Sequence, residues 1–244
     1  MINITKVIKS FQGLFRPVIN DVSLSLERGD FCVLIGANGC GKSTLLKLIS
    51  SEHKADAGEI KLSGDVAQVV QDVNLGTVPE MTLLENIALS EVKTPKLLFY
   101  RRYKDQVIQK LKELGIGLEE YIDQPLKMLS GGQRQMIATL MAINSGRQIL
   151  LLDEHTSALD PKMQTLLMEY TYKQAINRGL TTIMITHKMD DAIKYGNRLI
   201  MLHQGKIVLD IKGPQKKAMA VQDLLAMFHR YEDQLLVSGG ENVN

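Results

Sequence analysis

The pattern of apolar and polar positions predicts strands of two kinds. Apolar and polar residues alternate at residues 2–8 and 22–26, as they do in half-exposed antiparallel strands. Residues 33–35, 149–152 and 181–185 are instead continuous apolar runs, which are typical of parallel strands buried on both faces. Weaker strand patterns follow at residues 59–62, 66–70, 199–202 and 206–209. The chain is therefore predicted to be an α/β protein with a mainly parallel sheet and a small antiparallel β layer.

Helical signals fill the middle of the chain. Thr82 and Glu85 have the spacing of a capping box that opens a helix. Apolar residues at helical spacing then continue as far as Gly115, namely Val107, Leu111 and Leu114. A later helix begins at Asp160 and Pro161, and another is predicted over residues 221–231.

These signals predict one framework with an insertion. Residues 1–77 and 145–232 are expected to form the α/β core with its antiparallel β subdomain. Residues 78–144 are expected to form a helical insertion, and residues 233–244 a disordered tail.

Composition narrows the class of protein. The 244 residues are 45% apolar, enough to bury a core, and the net charge of +2 gives no argument for a nucleic-acid or anionic-membrane surface. The two cysteines, Cys32 and Cys40, form no disulfide or zinc pattern, so a reduced cytosol fits best. The start of the chain lacks the apolar segment of a signal peptide, and no apolar run reaches about 18 residues, so the chain is not expected to span a membrane by itself.

A glycine-rich segment lies between the strand at residues 33–35 and a predicted helix at residues 43–49. It reads from Gly36 to Ser43 and matches the pattern G-x-x-x-x-G-K-[ST], which predicts a phosphate-binding loop. In such a loop Lys42 reaches the β- and γ-phosphates and Ser43 ligates Mg²⁺. A plain glycine-rich turn is the alternative, although the pattern arises by chance in only about one chain per hundred. The loop amides around Cys40 should favour its thiolate form.

A second motif follows at residues 129–135. Ser130 can cap a helix there and Gln133 can reciprocate, so a simple helix cap would explain the motif if it stood alone. About twenty residues later, however, an apolar strand ends in Asp153 and Glu154, and all of this lies downstream of the phosphate loop. In this order the motifs resemble the ATP-binding cassette family of ATPases, over residues 2 to about 210.

The resemblance implies a P-loop NTPase core and a role for each motif residue. Asp153 would hold Mg²⁺, Glu154 would polarise the attacking water, and His187 would contact the γ-phosphate. Gln71 would act near Mg²⁺. The implied catalytic residues are Glu154, His187, Gln71 and Lys42; the implied Mg²⁺ ligands are Ser43, Gln71 and Asp153; the implied ATP contacts are Phe11, Gly36, Asn38, Gly39, Cys40, Gly41, Lys42, Ser43, Thr44, Ser130, Gly131, Gly132, Gln133 and Asp160.

Three features are less settled by the resemblance. Phe11 aligns better than Phe15 with the aromatic residue that stacks on adenine, and either could instead anchor the loop. His155 stands where many family members have proline. The interval from Lys42 to Gln71 is also shorter than usual, which indicates a particular subfamily.

The resemblance also implies partners. Two chains would form a homodimer that sandwiches two ATP molecules, each between one phosphate loop and the partner's Ser130 to Gly132 segment. The leading hypothesis is the ATPase subunit of a membrane transporter with separate permease chains, peripheral on the inner face of the membrane. Uptake of an amino-acid-like solute, with a solute-binding protein, is expected. A soluble iron–sulfur assembly ATPase is the alternative, and a P-loop kinase or GTPase would leave the second motif unexplained.

Overall fold

The structure, a computed structural model, describes residues 1–70, 76–90 and 100–238. Its strands are β1 Ile2–Lys9, β2 Ile19–Leu26, β3 Phe31–Ile35, β4 Ala57–Leu62, β5 Val66–Val69, β6 Ile149–Asp153, β7 Thr181–Ile185, β8 Arg198–His203 and β9 Lys206–Lys212. Its helices are α1 Lys42–Ile49, α2 Leu83–Ser90, α3 Lys104–Lys112, α4 Gly131–Asn144, α5 Pro161–Arg178, α6 Met189–Lys194, α7 Pro214–Ala218 and α8 Val221–Ser238. Single 3₁₀ turns lie at Tyr100–Tyr103, Leu118–Tyr121 and Leu126–Met128.

The chain divides into two compact units. The first unit joins Met1–Ser63 to Ile183–Asn244, and the second is Gly64–Thr182. The predicted insertion at residues 78–144 lies inside the second unit, which also contains β5, β6 and α5. The predicted domain boundaries therefore stay a prediction.

The first unit contains the predicted antiparallel layer. Strand β1 pairs with β2 on one side and with β4 on the other, both antiparallel, and Ile2 is opposite Leu26 and Leu62. Alternate side chains of β1 and β2 are buried because one face of the layer packs on the core, which explains the alternation in the sequence.

The same unit holds a fully buried strand beside the phosphate loop. All five residues of β3 are buried, and β3 pairs in parallel with β8, so that Cys32 is opposite Arg198. Strand β9 returns antiparallel to β8. The carboxyl end of β3 leads directly into the loop at Gly36, where the predicted phosphate site begins.

Side chains at the start of β8 hold this sheet together. The Asn197 amide oxygen accepts a hydrogen bond from the Phe31 main-chain nitrogen at 2.8 Å. The Arg198 guanidinium donates to both carboxylate oxygens of Asp210, at 2.7 and 2.6 Å, and to the Ser25 carbonyl oxygen. These contacts give the segment around Asn197 and Arg198 a structural role.

The second unit combines a short parallel sheet with a helical core. Strands β5 and β6 pair in parallel, with Val66 opposite Ile149. The capping box is confirmed, because the Glu85 carboxylate accepts from the Thr82 nitrogen at 2.8 Å and the Glu85 nitrogen donates to the Thr82 hydroxyl at 3.2 Å. The helices bury a continuous apolar cluster that includes Leu83, Ile87, Leu111, Leu118, Met136, Leu140 and Leu167.

Some elements differ from the prediction. Helix α8 continues to Ser238, past the predicted end at residue 231, so the first residues of the predicted tail are helical. Residues 239–244 lie outside the described residues. Helices α6 and α7 were not predicted, because with six and five residues they are too short to show a periodic pattern.

Candidate functional site

The phosphate loop needs glycine at two positions. A Cβ on Gly36 would lie 2.3 Å from the Leu202 carbonyl oxygen, and one on Gly41 would lie 2.5 Å from that of Val18. Both residues also have positive φ, 151° and 110° respectively. Neither position can take a side chain without moving the backbone, so the loop is held tightly against its neighbours.

Lys42 and Ser43 begin helix α1 and face different surroundings. The Lys42 side chain is buried, and its ammonium donates to the carbonyl oxygens of Gly36 at 2.8 Å and Ala37 at 3.0 Å. The Ser43 side chain is exposed in the first turn of the helix. The loop therefore offers an ammonium, a hydroxyl and the N–H groups of a helix N-terminus to a phosphate group.

The expectation for Cys40 was wrong. Its side chain is buried, at 7% exposure, and burial raises the pKa of the thiol despite the nearby Lys42 ammonium. The Cys40 carbonyl also accepts from the Gly205 nitrogen at 3.0 Å, so the β8–β9 turn covers this side of the loop. Desolvation outweighs the loop amides here, and the neutral thiol is favoured.

The two candidate aromatic residues lie in different environments. The Phe11 ring is partly buried and meets the His53 ring edge-on at 5.4 Å between centroids, with the Lys9 ammonium 5.5 Å from its centroid. The Phe15 ring is fully exposed. It borders a cleft of about 680 Å³ that Gly39 of the phosphate loop also lines. Stacking of Phe11 on adenine stays a prediction.

His187 follows the buried strand β7, and its side chain is exposed. The residues on either side of it are fixed by main-chain contacts. The Thr186 nitrogen donates to the Leu34 carbonyl oxygen at 3.4 Å, and the Lys188 nitrogen donates to the Thr186 hydroxyl at 3.0 Å. His187 is thus carried on a short loop anchored to β3, the strand that leads into the phosphate loop.

In the second unit, the predicted helix entry at Ser130 is confirmed. The Ser130 hydroxyl accepts from the Gln133 nitrogen at 3.2 Å, and the Gln133 side chain accepts from the Ser130 nitrogen at 2.9 Å. This capping box opens the 14-residue helix α4, with Ser130 and Gly131 exposed at its start. The N–H groups of Gly131 and Gly132 have no partner within the helix and can bind an anion.

Gly132 is also packed against the loop that precedes α5. A Cβ on Gly132 would lie 2.7 Å from the Leu159 side chain. The Asp160 carboxylate caps α5 by accepting from the nitrogens of Lys162 and Met163, both at 3.1 Å. The structure thus gives Asp160 a capping role, and its contact with ATP stays a prediction.

Asp153 and Glu154 end strand β6 and are both partly exposed. Glu154 has φ 49°, a left-handed conformation that costs a non-glycine residue about 1–2 kcal/mol. The Glu154 carbonyl accepts from the Ser157 nitrogen at 3.0 Å, which closes the turn. A strained backbone at an acidic residue that follows a buried strand is a feature often found at functional sites.

His155 lies next to the candidate base and is almost completely buried, at 1% exposure. Among the described residues, its Nε2 atom has no hydrogen-bond partner, and burial lowers the pKa of the imidazole to about 3. The side chain is therefore neutral at pH 7. The sequence marked this position only as a departure from the family pattern.

Three predicted site residues remain: Asn38 is exposed in the phosphate loop, Thr44 is partly exposed in helix α1, and Gln71 lies outside the described residues. Within the described part of the chain, no group of three or more His, Cys, Asp or Glu side chains could hold a metal ion. Mg²⁺ usually takes one or two protein ligands together with substrate phosphates, and the roles of Ser43 and Asp153 as such ligands stay predictions.

Comparison with known proteins identifies the family. The family model described as ABC transporter matches residues 19–157. The tyrosine transport ATP-binding protein of Clostridioides difficile is 38% identical over 93% of this chain and 98% of its own length. The chain belongs to the ABC transporter family of ATP-binding proteins. It is an ATPase, and the family match confirms the resemblance that the order of its motifs indicated.

Other relatives of this cassette belong to systems named for different solutes. The carnitine transport ATP-binding protein OpuCA of Listeria monocytogenes is 35% identical over 85% of this chain, which spans about half, 54%, of that protein. The thiamine import ATP-binding protein ThiQ of Photobacterium profundum is 34% identical over 80% of this chain and 83% of its own length.

Solved structures agree on the fold. A dimeric ATP-binding cassette in a post-hydrolysis state with bound ADP and Pi has a TM-score of 0.75 and 26% identity, over 87% of this chain and 98% of that one. The fold is accordingly that of the ABC ATPases, as predicted from the sequence. In the described residues, no helix is both long and apolar enough to cross a membrane.

Proposed function

We propose that this cassette is the ATP-hydrolysing subunit of a membrane importer whose spanning subunits are separate chains. The observation that carries the proposal is the 38% identity to a tyrosine transport ATP-binding protein along almost the whole of both chains. The cassette would be peripheral on the inner face of the membrane and would work with a solute-binding protein. The comparisons give no support to the iron–sulfur alternative.

The solute we propose is amino-acid-like. Support comes from the name of that same relative. The family resemblance of residues 153–155 and 195–198 also suggests this class, but Asn197 and Arg198 are accounted for by structural hydrogen bonds. The test is uptake in a strain that lacks the gene and is given it back, with labelled aromatic amino acids, carnitine and thiamine. Restored uptake of carnitine or thiamine alone would contradict the proposed class.

In the catalytic mechanism, Lys42 and the N-terminus of α1 bind the phosphates. Glu154 accepts a proton from the attacking water, and His187 donates a hydrogen bond to the γ-phosphate. Ser43 and Asp153 would hold Mg²⁺, which supplies charge neutralisation when bound. Replacing Glu154 with Gln should lower ATP turnover by about 100-fold, because a positioned general base contributes about that much, and should leave ATP binding intact. Normal turnover in Glu154→Gln would reject the assigned base.

We further propose that the N-terminus of α4 acts on the ATP of a partner subunit. Its support is the pair of N–H groups at Gly131, which is exposed, and Gly132, which is partly exposed, together with the dimeric relative of known structure. Lys42→Ala and Ser130→Arg should each be inactive alone. When the two are mixed, random exchange leaves about one composite site in four intact, so activity should partly return. A mixture that exchanges subunits and binds ATP but releases no phosphate would contradict action in trans.

The residue that stacks on the adenine base can be identified with a matched pair of variants. Phe11→Ala should weaken binding of ATP and leave binding of inorganic triphosphate unchanged, because only ATP carries a base to stack. Phe15→Ala is the control on the exposed ring. If Phe15→Ala shows the selective loss instead, Phe15 is the stacking residue and the assignment of Phe11 is wrong.

A surface for the permease is available in the second unit. A cleft of about 370 Å³ lies between β5, α2 and α4. Val78 and Leu89, each 41% exposed, present apolar groups to it, together with Ala138 and Met141 on α4. This lining suits the apolar face of a short amphipathic helix from a spanning subunit. The sequence suggests residues 71–91, which begin with a turn-rich stretch after Gln71, as the docking segment, and residues 71–75 and 91 of it lie outside the described residues.

The docking proposal is tested by introducing a charged side chain into the cleft. Leu89→Glu should reduce co-purification with the permease from detergent-solubilised membranes and leave ATP binding intact. Ile176→Glu is the matched control, since Ile176 is similarly exposed, at 47%, on helix α5. Reversing the charge of Glu85 is a poor test, because its carboxylate caps α2. Equal recovery of permease with Leu89→Glu and Ile176→Glu would count against this surface.

A further inference from the structure

Helix α6 begins immediately after the loop that carries His187, and it is unusually dependent on its surroundings. It has only six residues, and its N-cap, Lys188, makes no side-chain capping hydrogen bond. Isolated helices of fewer than about 12 residues are marginal in water. The position of α6, and of the residue that precedes it, therefore depends on contacts with other elements, both where Ala192 packs on its neighbours and at the ends of the helix.

The C-terminal end of α6 is held on one side by strand β3. The Asn197 nitrogen donates to the Phe31 carbonyl oxygen at 3.0 Å, just past the helix. Gly196 approaches the same carbonyl so closely that a Cβ there would lie 2.3 Å from the oxygen. With Thr186 bonded to Leu34, both ends of the segment from residue 186 to 196 rest on β3.

On the other side, this end of α6 is held by a buried lysine. Lys216, on helix α7, is 2% exposed, and its ammonium donates to the carbonyl oxygens of Ile193 at 3.2 Å, Gly196 at 2.9 Å and Tyr195. The last carbonyls of a helix have no partner inside it and carry partial negative charge. Burial lowers the pKa of Lys216 to about 8, so its ammonium form is the main one at pH 7.

We propose that Lys216 is a positioning residue for ATP hydrolysis, which fixes helix α6 and thereby holds His187 at the γ-phosphate. This inference rests on the proposed contact of His187 with that phosphate. The ordinary role of a buried lysine at a helix end is to satisfy carbonyl groups and stabilise the fold. What distinguishes Lys216 is that it holds the far end of α6, and that this short helix begins only two residues after His187. No side-chain cap fixes the end of the helix nearer to His187.

The experiment compares two nucleotides on the full chain. ADP lacks the γ-phosphate, whereas a non-hydrolysable ATP analogue has a group in its place. Lys216→Met removes the ammonium and keeps the apolar stem, so it should weaken binding of the analogue by about threefold or more while ADP binds as before. Lys217→Met, an exposed lysine on the same helix, is the matched control and should change neither affinity.

His187→Ala separates this proposal from the assignment on which it depends. It should weaken analogue binding by about tenfold, the loss expected for one hydrogen bond to a charged group, and Lys216→Met should add nothing in that background. If His187→Ala leaves the preference for the analogue unchanged, the assigned contact of His187 fails and the role of Lys216 falls with it. Suppose that His187→Ala removes the preference for the analogue over ADP. If Lys216→Met then keeps that preference, or weakens the binding of both nucleotides equally, Lys216 is a structural residue only.

A second variant keeps the proposal testable if Lys216→Met does not fold. Lys216→Gln keeps N–H donors without the charge, and it should show the same selective loss of analogue affinity at smaller size. Hydrogen exchange of the α6 amides, measured with mass spectrometry, should rise in both Lys216 variants and stay at the wild-type rate in Lys217→Met. Unchanged exchange in α6 would show that Lys216 does not hold the helix.

Discussion

His155 should make this protein lose stability in mild acid. The imidazole is 1% exposed, and burial lowers its pKa from 6.5 to about 3. In the unfolded chain the same group titrates near its ordinary pKa. Between these values the unfolded state binds a proton that the folded state excludes, so the free energy of unfolding falls as the pH falls.

The size of the effect follows from the two pKa values. Each pH unit inside the window is worth about 1.4 kcal/mol, so His155 should lower the free energy of unfolding by about 2 kcal/mol between about pH 7 and about pH 5. The contribution is fully present above pH 6.5 and is lost progressively as the pH approaches 3. Against a typical total of about 5–15 kcal/mol, a loss of that size is easily measured.

Urea unfolding of the nucleotide-free protein at several pH values is the assay. His155→Leu fills the same buried space with an apolar side chain, and it should lose about 2 kcal/mol less than the wild type over that range. His229→Gln is the control, because His229 is an exposed histidine on α8 and should leave the difference unchanged. If the wild type and His155→Leu lose stability in parallel, the imidazole does not stay neutral in the folded state and the reasoning fails.

Three further predictions concern groups whose surroundings the structure defines. Because burial raises the pKa of Cys40, iodoacetamide should modify this thiol more slowly at neutral pH than it modifies free cysteine, and MgATP should slow the reaction further. The extent of modification is measured by mass spectrometry, and modification as fast as that of free cysteine would contradict the prediction. Gly131→Ala should raise the free energy of unfolding by up to about 1 kcal/mol, because alanine favours a helix and the space around its Cβ is open; Gly132→Ala should gain less or lose stability, because the Leu159 side chain must move, and equal changes in urea would refute the clash. Arg198→Met should destabilise the first unit by about 2 kcal/mol and leave the affinity for ATP unchanged in the protein that remains folded.

The sequence predicted best those features that depend on neighbouring residues. The runs that became β3, β6 and β7 are buried as expected, since mainly apolar segments are the ones that a sheet encloses on both faces. The caps at Thr82 and Ser130 form as predicted, because a capping box involves residues only three positions apart.

Features set by distant parts of the chain could not be predicted in this way. The thiol of Cys40 is desolvated partly by the β8–β9 turn, and the sequence of the loop alone indicated the opposite pKa shift. Lys216 carries no signal in the sequence, because its role depends on a helix that lies some twenty residues earlier in the chain and is itself too short to predict.

The end of strand β6 adds an energetic argument for the site. Glu154 has a left-handed backbone that costs about 1–2 kcal/mol. The next residue, His155, buries a ring nitrogen that has no partner in the described part of the chain, which costs about 1–3 kcal/mol more. Together these two costs are a considerable fraction of a typical free energy of unfolding of about 5–15 kcal/mol. Backbone strain of this kind is often found at functional sites. Among the described residues, Lys6, Asp21, Ser51 and Gln204 also have positive φ. The strain at Glu154 therefore supports its assignment as the base only together with the order of the motifs.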